Sequence, residues 1–165
     1  MQLDAIKEKI NTGINSSEQY VTFLIKNETY GIEVLRVKEI VGITSIRSIP
    51  NSASYLKGVI NLRGKVVPVI DLRVKFNIPE KEYDTSTVIL IIEDRGNLVG
   101  IIVDAVSDVI DMPGELQDIS ELHTSINREV IKGVLNMESN LIMVLNPDIM
   151  LSTEDIQAVS EAEKE

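Results

Sequence analysis

The chain has 165 residues, of which 44% are hydrophobic, enough for a packed interior in one domain or two small ones. Its 16 lysine and arginine residues are outnumbered by 26 aspartate and glutamate residues, and the formal charge of -10 disfavours binding to nucleic acid or anionic lipids. The absence of cysteine excludes disulfides, thiolate catalysis and cysteine-based metal sites.

The N-terminal segment, residues 1–18, is polar and is interpreted as a tail. It lacks the basic start and the continuous apolar run of a secretory signal. A weak helical stripe through Leu3, Ile6 and Ile10 predicts one frayed helix. Because no stretch of the chain approaches the ~20 apolar residues of a membrane span, we expect a cytoplasmic protein without direct membrane insertion.

From Gln19 onward, short β-rich runs alternate with turn-forming residues. This pattern favours a barrel or a sandwich over a sheet of alternating strands and helices. The predicted strands are residues 20–25, 30–34, 59–62, 65–72, 87–92, 98–103, 134–137 and 141–145.

An internal repeat arranges these runs as two copies of one unit. Segment 30–40 is similar to segment 99–109, with Gly31 equivalent to Gly100. A second motif, Lys-Gly-Val-Ile-Asn-Leu at 57–62, recurs as Lys-Gly-Val-Leu-Asn-Met at 132–137, after a longer connection in the second copy. The repeat predicts two equivalent β-rich units, at residues 19–82 and 83–151.

Two kinds of helical element are predicted outside the strands. A short helical turn is expected before each Lys-Gly pair, where glycine can close a helix. Residues 152–165 are expected to form a C-terminal helix, with Ser152 as its N-cap and Ile156 and Val159 along its apolar edge.

No catalytic or metal site can be assembled from the sequence. The only histidine, His123, lies in a polar loop predicted between residues 112 and 127, where it has no partners for a triad or a metal centre. Segment 58–66 superficially resembles a phosphate-binding loop, but Val66 stands where a serine or threonine hydroxyl is required. The sequence therefore predicts a protein that is not an enzyme, needs no cofactor and binds other proteins.

Residues 57–73 resemble the pattern of the CheW family, the chemotaxis coupling proteins, with the order Lys-Gly-Val-Ile-Asn-Leu-Arg-Gly-Lys-Val-Val-Pro-Val-Ile-Asp-Leu-Arg. Segments 30–40 and 99–109 are similar to the same family, and the match runs from about residue 19 to 151. The resemblance implies a mainly β fold of two tandem SH3-like five-stranded barrels, with short connecting helices and a C-terminal helix, and no enzymatic activity.

The resemblance also implies two protein partners and the residues that contact them. The partners are the regulatory domain of the histidine kinase CheA and the cytoplasmic tip of methyl-accepting chemoreceptors, which would recruit the protein to membrane-associated arrays. The family's receptor-contact pattern falls on Val37, Glu39, Gly58, Arg63, Val88 and Val109, which are expected to border a groove between the barrels. Its kinase-contact pattern points to Gln117, Glu121 and Leu122.

Each assignment has a simpler structural alternative. Arg63 is expected at a tight turn, where its guanidinium can bind a partner, but an internal ion pair with Glu39 would also explain it. The three valines are equally compatible with core packing, because branched apolar residues usually face inward.

Two other interpretations of the whole chain stay open. One is a CheW-like regulatory or coupling domain detached from a larger signalling protein. The other is a small-molecule-binding barrel or an enzyme of unknown type, which a ligand-sized pocket lined by polar groups would support.

Overall fold

The structure is a computed structural model that describes residues 3–11, 19–111, 116–117, 130–137 and 140–163. The strands within these ranges are β1 (Gln19–Ile25), β2 (Glu28–Glu33), β3 (Val37–Gly42), β4 (Leu56–Leu62), β5 (Lys65–Asp71), β6 (Val88–Asp94), β7 (Asn97–Val103), β8 (Ala105–Asp111), β9 (Ile131–Met137) and β10 (Asn140–Leu145). The helices are α1 (Leu3–Asn11), α2 (Leu72–Lys75) and α3 (Thr153–Glu163), with 3-10 turns at Val34–Arg36 and Pro147–Ile149.

The strands form two five-stranded sheets, and each sheet combines strands from both copies of the repeat. Sheet A has the order β8-β1-β2-β10-β9, and sheet B has the order β3-β6-β7-β5-β4. The first two strands of each copy form an antiparallel hairpin, which joins the last three strands of the other copy through a parallel pair. The two hairpins are therefore exchanged between the barrels.

The two five-stranded sheets confirm the predicted class of two five-stranded barrels. Because of the exchange, the barrels do not match the predicted division of the chain between residues 82 and 83. The chain passes from one sheet to the other after β2, through Val34–Arg36, and after β7, at Asp104. The repeat identifies equivalent strands correctly: Gly31 pairs with Val144, and Gly100 pairs with Val69. Sequence similarity alone does not say which copy each hairpin joins.

Apolar side chains fill both faces of the central strands. In β6, Ile89 and Ile91 belong to a cluster inside barrel B, whereas Leu90 and Ile92 belong to a larger cluster shared by both sheets. A smaller cluster inside barrel A contains Tyr20, Leu135, Ile142 and Val144. Burial on both faces explains the continuous apolar runs of the sequence.

The two terminal helices pack against this body. Helix α1 lies against β3 and β8, and its Ile6 side chain is fully buried in the shared cluster. The N-terminal segment is therefore more than a tail. Helix α3 begins after Ser152 as predicted, because the Ser152 Oγ accepts a hydrogen bond from the Asp155 amide at 3.1 Å.

The first Lys-Gly pair has a different role from the one predicted. Lys57-Gly58 lies inside β4 at a bulge and does not follow a helical turn. Lys132-Gly133 lies inside β9, and residues 118–129, where the second helical turn was predicted, lie outside the described residues. The predicted strands also omitted β3 and β8, which are equivalent edge strands of mixed polarity. An edge strand buries fewer side chains, so its hydrophobic pattern is weaker.

Candidate interaction site

The tight turn between β4 and β5 presents Arg63 at the molecular surface. Arg63 and Gly64 have φ angles of 51° and 87°, and positive φ at both central residues is typical of a type I′ hairpin turn. The Asn61 Oδ1 accepts a hydrogen bond from the Gly64 amide at 2.8 Å, which holds the turn. The guanidinium therefore projects from an ordered hairpin end, with 72% of the side-chain surface exposed.

Arg63 forms a two-point ion pair with Glu39 on β3. Its Nη1 donates to Oε1 at 2.9 Å, and its Nη2 donates to Oε2 at 2.6 Å. These hydrogen bonds hold the pKa of Glu39 below its usual value and raise the pKa of Arg63. The internal pair that the sequence left open is thus present, yet the exposed guanidinium still offers a surface to a partner.

Gly58 lies behind this turn, against the backbone of Arg47. Its φ is 147°, and a Cβ at this position would lie 2.1 Å from the Arg47 carbonyl oxygen. Next to it, Arg47 and Val59 exchange backbone hydrogen bonds of 2.9 and 2.8 Å. Gly58 is buried and supports the sheet, and its place at a receptor groove stays a prediction.

The three valines of the predicted receptor set divide between the interior and its edge. Val37 and Val88 are each 4% exposed and belong to the shared apolar cluster. Val109 is partly buried against the same cluster. Val37 and Val88 therefore follow the core-packing alternative, because β3 and β6 turn these side chains inward, and their contact with a receptor stays a prediction. Arg63, Glu39 and Val109 keep exposed surface.

Of the three predicted kinase-contact residues, the structure describes Gln117. Gln117 is exposed and forms an isolated bridge with Val134 of β9, through backbone hydrogen bonds of 2.8 and 2.9 Å. Glu121 and Leu122 lie outside the described residues. The Gln117 bridge is the counterpart, in barrel A, of the bridge that Arg47 forms in barrel B.

Two ion pairs that the sequence analysis missed hold the points where the chain crosses between sheets. At the second crossing, the Arg73 guanidinium donates to both oxygens of Asp104 at 2.8 and 2.6 Å. At the first crossing, Arg36 pairs with Asp148 and also donates to the Glu93 carbonyl at 2.7 Å. We call these two pairs the crossing clamps.

The clamps lie at the two crossings and have opposite polarity. Arg73 follows β5, and Asp148 follows β10, the equivalent strand of the other copy. Burial opposes ionisation of Asp104, but hydrogen bonds from Arg73 and the Lys26 amide outweigh it and hold its pKa below the usual value. The charge reversal between Arg73 and Asp148, which are equivalent in the repeat, was the sequence signal that could have pointed to these pairs.

One surface depression, of about 530 Å³, holds polar groups that already have partners. It contains Lys57, Glu80, Asp71 and Tyr83. Lys57 pairs with Glu80, and the Tyr83 hydroxyl donates to Asp71 at 2.9 Å. In the described part of the chain, no group of three or more histidine, aspartate or glutamate side chains could hold a metal ion. Nor is any described helix long and apolar enough to cross a membrane.

Comparison with known proteins resolves what kind of chain carries these features. The family model described as the CheW-like domain matches residues 19–155. The chain belongs to the CheW-like family. The match spans both sheets and reaches the first turn of α3, so it covers the exchanged hairpins as well as the Arg63 turn.

Curated and solved relatives of this family cover nearly the same length. A chemotaxis protein CheW from Klebsiella aerogenes is 34% identical over 92% of this chain and 92% of its own. Another from Bacillus subtilis is 34% identical over 88% of this chain and 94% of its own. The scaffolding protein TtCheW from Thermoanaerobacter tengcongensis has a TM-score of 0.77 and 29% identity, covering 88% of this chain and 94% of that chain.

Proposed function

We propose that this protein is a chemotaxis coupling adaptor that binds the regulatory domain of the histidine kinase CheA and the cytoplasmic tip of a methyl-accepting chemoreceptor. It acts by binding and not by catalysis. It works in the cytoplasm, where its partners hold it in receptor arrays at the membrane. The family match over residues 19–155 is the observation that carries this proposal.

The Arg63 turn supports the receptor side of the proposal. An arginine that is 72% exposed on an ordered hairpin end can form charge-assisted hydrogen bonds to carboxylates or helix-end carbonyls of a partner. Glu39 limits the rotamers of Arg63 before binding, which lowers the ordering cost of complex formation. Val109 adds a half-buried apolar contact on β8.

The kinase side rests on Gln117, Glu121 and Leu122. Gln117 bridges to β9 of sheet A, whereas Arg63 ends the β4–β5 hairpin of sheet B. Because Arg63 and Gln117 lie on different barrels, both partners can bind at the same time. An adaptor that links two proteins needs this independence.

A binding experiment tests both sides together. The purified chain is run on size-exclusion chromatography with a CheA regulatory domain and a receptor tip fragment, singly and together. We expect two binary complexes and one ternary complex, in the absence of metal or nucleotide. Failure to bind either fragment would exclude the adaptor function.

The Arg63→Ala variant localises the receptor side. We expect its affinity for the receptor fragment to fall roughly ten- to hundredfold, while kinase binding and far-UV circular dichroism stay unchanged. Lys65→Ala is the matched control, because it removes the same charge from the other end of the same turn. Equal losses in both variants would reduce the role of Arg63 to general electrostatics.

A further inference from the structure

Helix α1 is an amphipathic helix of the chain itself that covers the space between the two edge strands β3 and β8. It packs against both strands. Ile6 is fully buried in the shared apolar cluster, and Ile10, one helical turn later on the same face, packs against that cluster. Asp4 and Glu8 are exposed. We call the surface of β3 and β8 under α1 the edge groove.

The edge groove is framed by equivalent residues of the two copies. Ile40 on β3 and Val109 on β8 occupy the same position in the repeat; Ile40 belongs to the apolar cluster that includes Ile6, and Val109 packs against that cluster. On the β3 side, Lys7 and Ile10 of α1 share a small depression with Glu39 and Ile40. Helix α1 therefore borders the acidic partner of Arg63.

The shape of the edge groove suits one class of occupant. An apolar floor with an acidic rim accepts a short helix that carries apolar residues at i and i+4 and a basic residue beside them, as α1 shows with Ile6, Lys7 and Ile10. The residues assigned to receptor contact, Glu39 on β3 and Val109 on β8, lie on the same two strands. The chain's own helix and a receptor helix would compete for this space.

We propose that α1 is a built-in competitor that occupies the receptor-binding groove and is displaced when the helical tip of a chemoreceptor binds. This proposal rests on the function proposed above. A nine-residue helix is marginal by itself in water, so α1 stays folded only while it is docked. Elements with so few buried contacts open at low free-energy cost, which makes α1 suited to reversible release.

The expected size of the effect follows from the fraction of molecules with an open groove. If α1 covers the groove in nine of ten molecules, the apparent affinity for the receptor falls roughly tenfold relative to an open chain. The Ile6→Asp variant removes the main apolar anchor of α1. We expect it to bind the receptor fragment up to about tenfold more tightly than the unmodified chain and to bind the kinase domain equally well.

The matched control is Glu8→Gln, which removes an exposed charge from the same helix without touching its buried face. It should bind both partners as the unmodified chain does. If Ile6→Asp leaves receptor affinity unchanged or weakens it while kinase binding is normal, α1 does not compete. If kinase binding is also lost, the variant has misfolded and the next measurement decides.

Hydrogen exchange on the unmodified chain is that measurement. Amides of residues 3–11 should exchange faster when the receptor fragment is bound and stay unchanged when the kinase domain is bound. Slower exchange would place α1 inside the receptor interface, and unchanged exchange would leave it docked; either result overturns displacement. Slower and unchanged exchange can both be distinguished from failure of the adaptor function, because in that case the receptor fragment does not bind at all.

Discussion

Gly58 and Gly133 show how one residue decides where an extra strand segment can approach a sheet. A Cβ at Gly58 would lie 2.1 Å from the Arg47 carbonyl oxygen, and one at Gly133 would lie 2.8 Å from the Gln117 carbonyl oxygen. Both approaching segments form a bridge to the following residue of the strand. The glycine is therefore required by contact with a distant segment, which the local sequence does not encode.

Replacement of Gly58 by alanine should destabilise the fold by at least ~2 kcal/mol, because it combines an unfavourable positive φ with a backbone clash. Gly64→Ala is the matched control: its φ is also positive, but nothing lies within 4 Å of the added Cβ, and we expect about 1 kcal/mol. Urea unfolding measures both. Equal losses would show that the Arg47 segment moves aside easily.

At the residue scale, the sequence identified the motif around Gly58 and Arg63 but not what each residue contacts. The alternation of β4 and the Arg-Gly pair located the turn, and Glu39 was named in advance as the ion-pair partner. The sequence left open whether Val37 and Val88 face the interior, since burial on both faces of β6 depends on the second sheet.

At the element scale, α3 is fixed to the body by its first turn. Asp155 is 4% exposed and accepts a hydrogen bond from the Tyr55 hydroxyl at 2.5 Å and one from the Ser152 amide at 2.9 Å. Burial and the Asp155 carboxylate raise the pKa of Tyr55 to about 12. One carboxylate therefore caps the helix and ties it to the segment before β4.

Asp155→Ala should destabilise the protein by about 2–3 kcal/mol, because it removes a helix cap and leaves the Tyr55 hydroxyl without its acceptor. Glu154→Ala, in the same turn but exposed, should cost below about 1 kcal/mol. Urea unfolding and hydrogen exchange of residues 153–163 measure the two effects. A loss in Asp155→Ala no larger than in the control would contradict the tie to Tyr55.

Helix α3 could be predicted because its signals are local: a capping serine, acidic residues in the first turn and an apolar edge. Strands β3 and β8 could not, although the repeat contained both. Their side chains are only partly covered by their own sheets, and α1 packs against them from a distant part of the chain. Their hydrophobic pattern reflects that remote contact.

At the scale of the whole molecule, each crossing clamp joins residues of different copies of the repeat. In the structure Arg36 pairs with Asp148, and Asp104 pairs with Arg73. Arg73 and Asp148 occupy equivalent positions of the repeat, so the charge that follows the fifth strand is reversed between the two copies. Each of these charges faces an opposite charge from the other copy.

Arg73→Asp should destabilise the protein by roughly 2–3 kcal/mol, because Asp104 would lose its charged hydrogen bonds and face a second carboxylate. The double variant Arg73→Asp/Asp104→Arg should recover most of that loss in a double-mutant cycle. The Lys38–Glu93 pair, exposed on both sides, is the control, and its reversal should change little. If the double variant did not recover stability, the contribution of the clamp would depend on its geometry and not on its charges.

The contribution of the Arg73–Asp104 pair to the free energy of unfolding should depend on pH. The pKa of Asp104 is lower in the folded state, so the stabilisation is present above the unfolded value of about 4 and is lost as the pH falls through the depressed folded value. The free-energy difference between the unmodified chain and Arg73→Asp, measured by urea unfolding across this range, should therefore shrink below about pH 4.

The exchanged hairpins constrain how such a chain can change over evolutionary time. Each barrel contains strands of both copies, so a substitution in one copy affects contacts with the other. Loss, replacement or recombination of either half would leave both barrels unclosed. The two copies can therefore diverge in charge and in surface residues, but neither can be lost without the other.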